Sequence, residues 1–411
     1  MKYIVIILPL FFSSFSNAVL FSDYILDAYE ASDIIKAAEY DKLAQEERYQ
    51  SSKNYYIPKV VGASKYDYEI LEGDESDLNE SKITVSSTIA NSVTKGTIDV
   101  ANANVVISDI KLKIEKNTIT RNILNNVYTI REYSKLMDVA NDLKAYSDKF
   151  EKRITKEIEL GISSQSDLKQ ADLLINKIDS EISNIRKQIS LSVSNIELSS
   201  GLEYPVDGIN LDDQVNEYIS SYNFNGDHEA GLEYKLSIYE AELAKAAVKA
   251  NDSLYLVNIE TGIKNTLDKP FFGETVVNNE FFASLNISIN MFDMDRYHEN
   301  KALAFLQKAK ESARNKARVD IMQNVNVTLS LDENFRLEID NLTEQVKSIR
   351  SIVKLHEKEY NIGSVTLYEM INTQFDFLTT RKRLAEVSIE YYNNKVNLMT
   401  MVNQLSFDVH E

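Results

Sequence analysis

Two stretches of this chain, from just after Gly96 to Leu160 and from about Arg296 to Ile362, read as helix without a single proline or glycine. At 1.5 Å per residue each would reach on the order of 100 Å. That is far beyond the helices of a compact domain and points to rods that must bury a seam side by side. A glycine stops each run, Gly161 and Gly363, and a second helix follows, from Asp167 to Ser200 and from Thr366 to about Gln404. The two glycines lie 202 positions apart, and the match continues around them. Ser164 falls on Thr366, Asp167 on Glu369, and the heptad column Leu168, Ile175, Ile182, Ile189, Ile196 on Met370, Phe377, Leu384, Tyr391, Leu398. Every member of that column is apolar in both copies, so the chain reads as an internal duplication.

Shorter elements precede each rod. A helical pattern over 23–54 ends at Pro58 and gives way to β-type residues over 59–68. The acidic segment 69–81 reads as a turn-rich loop. Over 83–93, Ile83, Val85, Ile89 and Val93 alternate with Thr84, Ser86, Thr88 and Ser92. The second copy offers a polar insert at 206–230, a helix over 231–250, a strand-like run over 254–263, a loop over 264–279 and an alternating strand over 281–292. Each alternating run is about the length of a tilted membrane strand. The expected organisation is a leader at 1–18, a first repeat at 19–205 and a second at 206–411.

The leader has Lys2, an apolar run from Tyr3 to Phe12, and small residues in Ser16-Asn17-Ala18, the pattern of a cleavable secretory signal; the other reading is an N-terminal anchor helix. No later stretch of 18 apolar residues occurs, so a membrane crossing by the rest of the chain requires a closed β-barrel. Two strands per repeat cannot close one. Several copies must then contribute strands, because open edges do not survive in lipid. With 63 Asp and Glu against 45 Lys and Arg, the net charge of −18 argues against a nucleic-acid partner. There is no cysteine, which excludes disulfides and a lipid-modified N-terminal cysteine.

Several stretches resemble the TolC family of outer-membrane efflux proteins. Ile57-Pro58-Lys59-Val60 resembles the family's entry to its first strand, and Ser288 to Met294 its strand-to-helix exit. Tyr360 to Met370 resembles the helix-tip motif, with Gly161 and Ser166-Asp167-Leu168 as its first-half copy. The resemblance covers essentially the whole chain after the leader. It implies a mainly α fold with a membrane β-barrel portion: antiparallel coiled-coil-like helices forming an α-barrel, and four strands per protomer in a trimeric twelve-stranded barrel. It also implies a passive outer-membrane duct with a periplasmic extension in a Gram-negative bacterium. The implied partners are a homotrimer, a periplasmic adaptor protein, an ABC or proton-driven inner-membrane transporter, and outer-membrane lipid. No cofactor is implied.

Carried onto this chain, the family's periplasmic gate places an acidic ring at Glu369, a second, neutral ring position at Asn372 and a linking tyrosine at Tyr360. The position of a linking arginine is Val365, while its first-half acidic partner is Asp167. Both acids have a second reading as helix caps, Asp167 with Ser164 and Glu369 with Thr366. Lys65, Asp67, Asn258, Glu260, Asn286 and Asn290 are candidates for a lumen-facing strand surface, and an ordinary solvated face is the other reading. The four histidines, His228, His298, His356 and His410, have no metal-ligand spacing, and no phosphate-binding or nucleophile-elbow motif occurs, so no enzyme is expected. The rival to a duct is a secreted coiled-coil structural or adhesive protein, which would have no use for four strands with one apolar face each.

Overall fold

The computed structural model describes residues 19–405 except 73, 212 and 225. The leader expected at 1–18 and His410 lie outside the described residues. The elements run β1 (Val19–Leu20), α1 (Phe21–Ala31), α2 (Asp33–Lys53), β2 (Lys59–Leu71), β3 (Asp74–Asn91), α3 (Thr94–Glu159) and α4 (Gln165–Ser200). The second half continues with β4 (Ile209–Asn210), α5 (Asp213–Ser221), α6 (Leu232–Asn251), β5 (Tyr255–Lys269), β6 (Val276–Ile289), α7 (Met294–Asn361) and α8 (Leu367–Met401).

These elements form two compact units, and neither follows a sequence half. One gathers residues up to 36 with 115–231 and 321 onward; the other gathers 37–114 with 232–320. In the first unit a core cluster draws Leu136, Ala140, Phe150 and Ile154 from α3, Ala171, Leu174, Ile178, Ile182 and Ile185 from α4, and Leu367, Met370, Ile371 and Leu378 from α8. Each such side chain contributes roughly 1.5–3 kcal/mol by burial. Along α4 the buried positions are Ala171, Leu174, Ile178, Ile182, Ile185, Ser192, Ile196 and Ser200. Ala171, Ile178, Ile185 and Ser192 among them fall seven apart, the second column of a heptad seam. Of the expected column, Ile182 and Ile196 are buried and Leu168, Ile175 and Ile189 are half-buried. At the N-terminus α1 buries Phe21, Tyr24, Ile25 and Ala28, and the Tyr24 hydroxyl meets Ser200 Oγ at 2.9 Å. β1 pairs in parallel with β4.

The helices differ sharply in how much they bury. α8 buries fifteen of its 35 residues, whereas α7 buries four of 68, Ile321, Val325, Thr328 and Leu342. α7 meanwhile exposes Phe305, Val319, Val327 and Leu337 at half their surface or more. So much uncovered apolar surface on one helix marks a face built for another chain.

In the second unit β2, β3, β5 and β6 form one antiparallel sheet in that order. The central pair β3–β5 joins the two repeats, with Ile83 opposite Ile263. The strands are longer than the alternation suggested. The acidic loop expected at 69–81 is strand over 69–71 and 74–81, and of the loop expected at 264–279 only 270–275 lies outside the ladder. Charge is tolerated there because it is paired across strands: Tyr66 Oη donates to Asp77 at 2.8 Å, Lys264 meets Glu80 at 2.9 Å and Lys269 meets Asp77 at 3.4 Å. Cross-strand pairs of this kind stabilise a ladder that composition alone reads as a turn.

Candidate functional site

The two helix hairpins end in turns of the same construction. At the first, Gly161 takes φ +74°, its N–H donates to Ile158 O at 2.9 Å, and the Ile162 N–H donates to Glu157 O at 2.8 Å. At the second, Gly363 takes φ +76°, with Gly363 N–H to Tyr360 O at 3.0 Å and Ser364 N–H to Glu359 O at 2.8 Å. Both are Schellman motifs, whose left-handed residue needs glycine.

The next helix is capped the same way in each copy. Ser164 Oγ accepts the Asp167 N–H, and Asp167 Oδ2 accepts the Ser164 N–H at 2.9 Å and its hydroxyl at 2.8 Å. Thr366 Oγ1 accepts the Glu369 N–H, and Glu369 Oε2 accepts the Thr366 N–H at 2.9 Å and its hydroxyl at 2.8 Å. Both are capping boxes. The Thr366 backbone N–H, followed by its hydroxyl, holds the exposed Glu369 carboxyl below the usual carboxylate range.

Around these turns the two hairpins are tied together by a group that sequence matching missed. Arg153, near the end of α3, donates through Nη1 to Asn361 Oδ1 at 2.7 Å and through Nε to Glu157 at 2.8 Å. Its guanidinium stands 5.9 Å from the centre of the Tyr360 ring, which itself sits edge-on to Phe150 at 5.4 Å. Glu157 also accepts the Ser163 hydroxyl at 2.9 Å, and Arg153 is the main cause of its lowered pKa. The link between hairpins thus carries its cation on the first one. Val365, where the resemblance puts an arginine, is a half-buried apolar residue. Asn372 is also half-buried, one turn beyond Glu369. A second tie runs from α7 to α8: His356 Nδ1 meets Thr373 Oγ1 at 2.9 Å, and that hydroxyl donates to Glu369 O at 2.8 Å. The hydroxyl has one proton, so Nδ1 of His356 is the donor. The pairing of Arg153 with Asn361 has no signal in the motif; it needed the relative rotation of α3 and α7.

In the other unit the sheet has one apolar and one polar face. The pairing sets Val85, Ile83, Ile263, Ile259, Phe281, Leu285, Ile287 and Ile289 on one side. The opposite side carries Lys65, Asp67, Asn258, Glu260 and Asn286, together with Lys82, Lys264, Glu80 and Glu280. Lys65 pairs with Asp67 at 2.5 Å and Lys82 with Glu260 at 3.4 Å. Asn290 lies just past β6, where its side chain donates to Ser253 O at 3.1 Å. Lys82 and Lys264 stand directly opposite one another, and each is drained by a diagonal carboxylate. Reading strands one at a time does not bring these two lysines together.

Residues 237–404, the span from α6 through β5, β6 and both helices of the second hairpin, match the model of the outer membrane efflux protein family. No curated protein sequence matches the chain. Solved structures with the same fold include CusC, described for folding and transmembrane channel formation, at 13% identity and a TM-score of 0.80 over 95% of each chain. The Campylobacter jejuni CmeC outer membrane channel superposes at 9% identity and 0.79, over 95% of this chain and 87% of that one. The open state of the Neisseria gonorrhoeae MtrE outer membrane channel gives 12% identity and 0.77, over 95% and 91%. At such identities the likeness is one of fold, and it extends across nearly the whole chain, well beyond the segment the family model covers.

Proposed function

We propose that this protein is the outer-membrane exit duct of a tripartite efflux or type I secretion system, a passive channel driven by its partners. Three copies join their four-stranded sheets into a membrane barrel, and their long helices enclose a water-filled conduit that meets a periplasmic adaptor and an inner-membrane transporter. The observation that carries this reading is incompleteness. β2 and β6 each keep one unpaired edge, and α7 fully buries only four of its 68 residues. In lipid an open edge is not viable, so copies of the chain must supply the missing partners. The sheet's sidedness supports membrane placement over a secreted rod, since a row of residues such as Ile83, Ile263 and Phe281, all more than half exposed, has no use in water.

The helix tips act as the gate in this reading. Arg153, Asn361 and Tyr360 hold the hairpins together, while Glu369 supplies a ring of three carboxylates that attracts cations. The efflux protein should be recovered from outer membranes as a heat-resistant oligomer that conducts in planar bilayers. A monomer that stays soluble without detergent would end the proposal.

A further inference from the structure

The apolar face of the sheet carries a groove of about 710 Å³ running across all four strands. Its floor is the backbone of the cross-strand row Ala63, Lys82, Lys264 and Glu280, whose side chains point to the other face. One wall is Ile83, Ile263 and Phe281, with an opening at Gly62; the other is Ser64, Ser81, Asn265 and Asn279. The second wall is uncharged and hydrogen-bonded to itself, Ser64 Oγ to Ser81 Oγ at 3.1 Å and Asn265 Nδ2 to Asn279 Oδ1 at 2.6 Å.

The groove's height in the sheet tells what it faces. Apolar residues on this side begin at Tyr255 and Ile289, where the strands leave the helices, and run to the row of Ile263 and Phe281. The polar row comes next, ten residues along β5 from Tyr255. Ten residues of strand span about 33 Å, or about 25 Å of height at a usual barrel tilt, the thickness of an outer-membrane apolar band. The row Ser64, Ser81, Asn265, Asn279 therefore lies at the boundary where hydrocarbon chains join their head group. Tyr66 and Tyr68 continue on the same face beyond it, as an interfacial aromatic girdle does. Lys269, four residues further along β5, stands at head-group height as an ion pair with Asp77.

Resting on the membrane-barrel reading above, we infer that this groove is a binding site for a lipid of the outer leaflet that carries several acyl chains through neighbouring amide and ester linkages. The chains lie against Ile83, Ile263 and Phe281 and fill the opening at Gly62. The linkages meet the serine hydroxyls, Asn265 Oδ1 and Asn279 Nδ2, all of which match neutral carbonyls and hydroxyls. Four strands spread that row over about 14 Å, enough to engage more than one linkage at once.

The test is native mass spectrometry of the full-length oligomer in detergent, with lipid A added in one arm and a dipalmitoyl phosphatidylethanolamine in the other. Wild type should retain lipid A in preference. Gly62→Leu fills the groove at a point where nothing stands within 4 Å of an added Cβ, and should cut retention about tenfold. Asn265→Leu with Asn279→Leu should do the same, while Leu285→Phe, on the same face outside the groove, should not. Equal retention of both lipids by wild type, or undiminished lipid A on the groove variants, overturns the inference. Bilayer conductance of the same samples separates this from the parent reading: conducting oligomers that ignore lipid A refute the groove alone, and absence of oligomers refutes the duct.

Discussion

Replacing Arg153 by alanine removes a cation that spans the two hairpins at their tips. The hydrogen bond to Asn361, at 2.7 Å, is charge-assisted, a class that contributes about 1.5–3 kcal/mol when shielded. Arg153 is about half exposed (48%), so the contribution falls to about 1 kcal/mol per copy. If three tips open together, the closed state loses about 3 kcal/mol, on the order of a hundredfold in the open-to-closed ratio; tips that move singly would each shift about fivefold. Single-channel recording in planar bilayers reads this directly as a rise in open probability. Asn361→Ala should give a similar rise, and the double variant should add little to either, because both remove the same bond. Intact oligomers of Arg153→Ala with unchanged gating, or a double variant whose effect is the sum of the two, would refute the latch.

Glu369→Ala should weaken divalent-cation block and fray the first turn of α8; fraying with unchanged block would leave Glu369 a cap and nothing more. Gly363→Ala forces a Cβ into a left-handed position and should cost about 1–2 kcal/mol, read as faster hydrogen exchange at the Ser364 amide. Acid should act late. The Glu157 and Glu369 carboxyls sit below their ordinary value, so what they contribute is complete above about pH 4.3 and is lost as pH falls through the depressed values. Exchange protection of the tip amides should therefore be flat between pH 7 and 5 and decline below about 4; a loss centred near pH 6 would contradict it. Val327→Asp with Leu331→Asp, charges placed one turn apart on the uncovered face of α7, should abolish the heat-resistant oligomer on gels, and an oligomer that persists would show that this face is not buried between copies.

The sequence alone determined the local and repetitive features. Uninterrupted helical runs, glycine stops, the Ser164–Asp167 and Thr366–Glu369 boxes and the strand alternation are all encoded within a few residues of where they act. They were legible because helix continuity, capping and pleat depend on neighbours in the chain. The strand ends were not legible, since Asp77 and Glu80 read as turn residues until Tyr66, Lys264 and Lys269 came opposite them. The tertiary structure alone decided that the compact units cut across both repeats, that Arg153 rather than a residue at position 365 links the hairpins, and that Lys82 faces Lys264. Each of these depends on how one helix or strand is rotated and registered against another far away in the chain, and no spacing within a single segment carries that information.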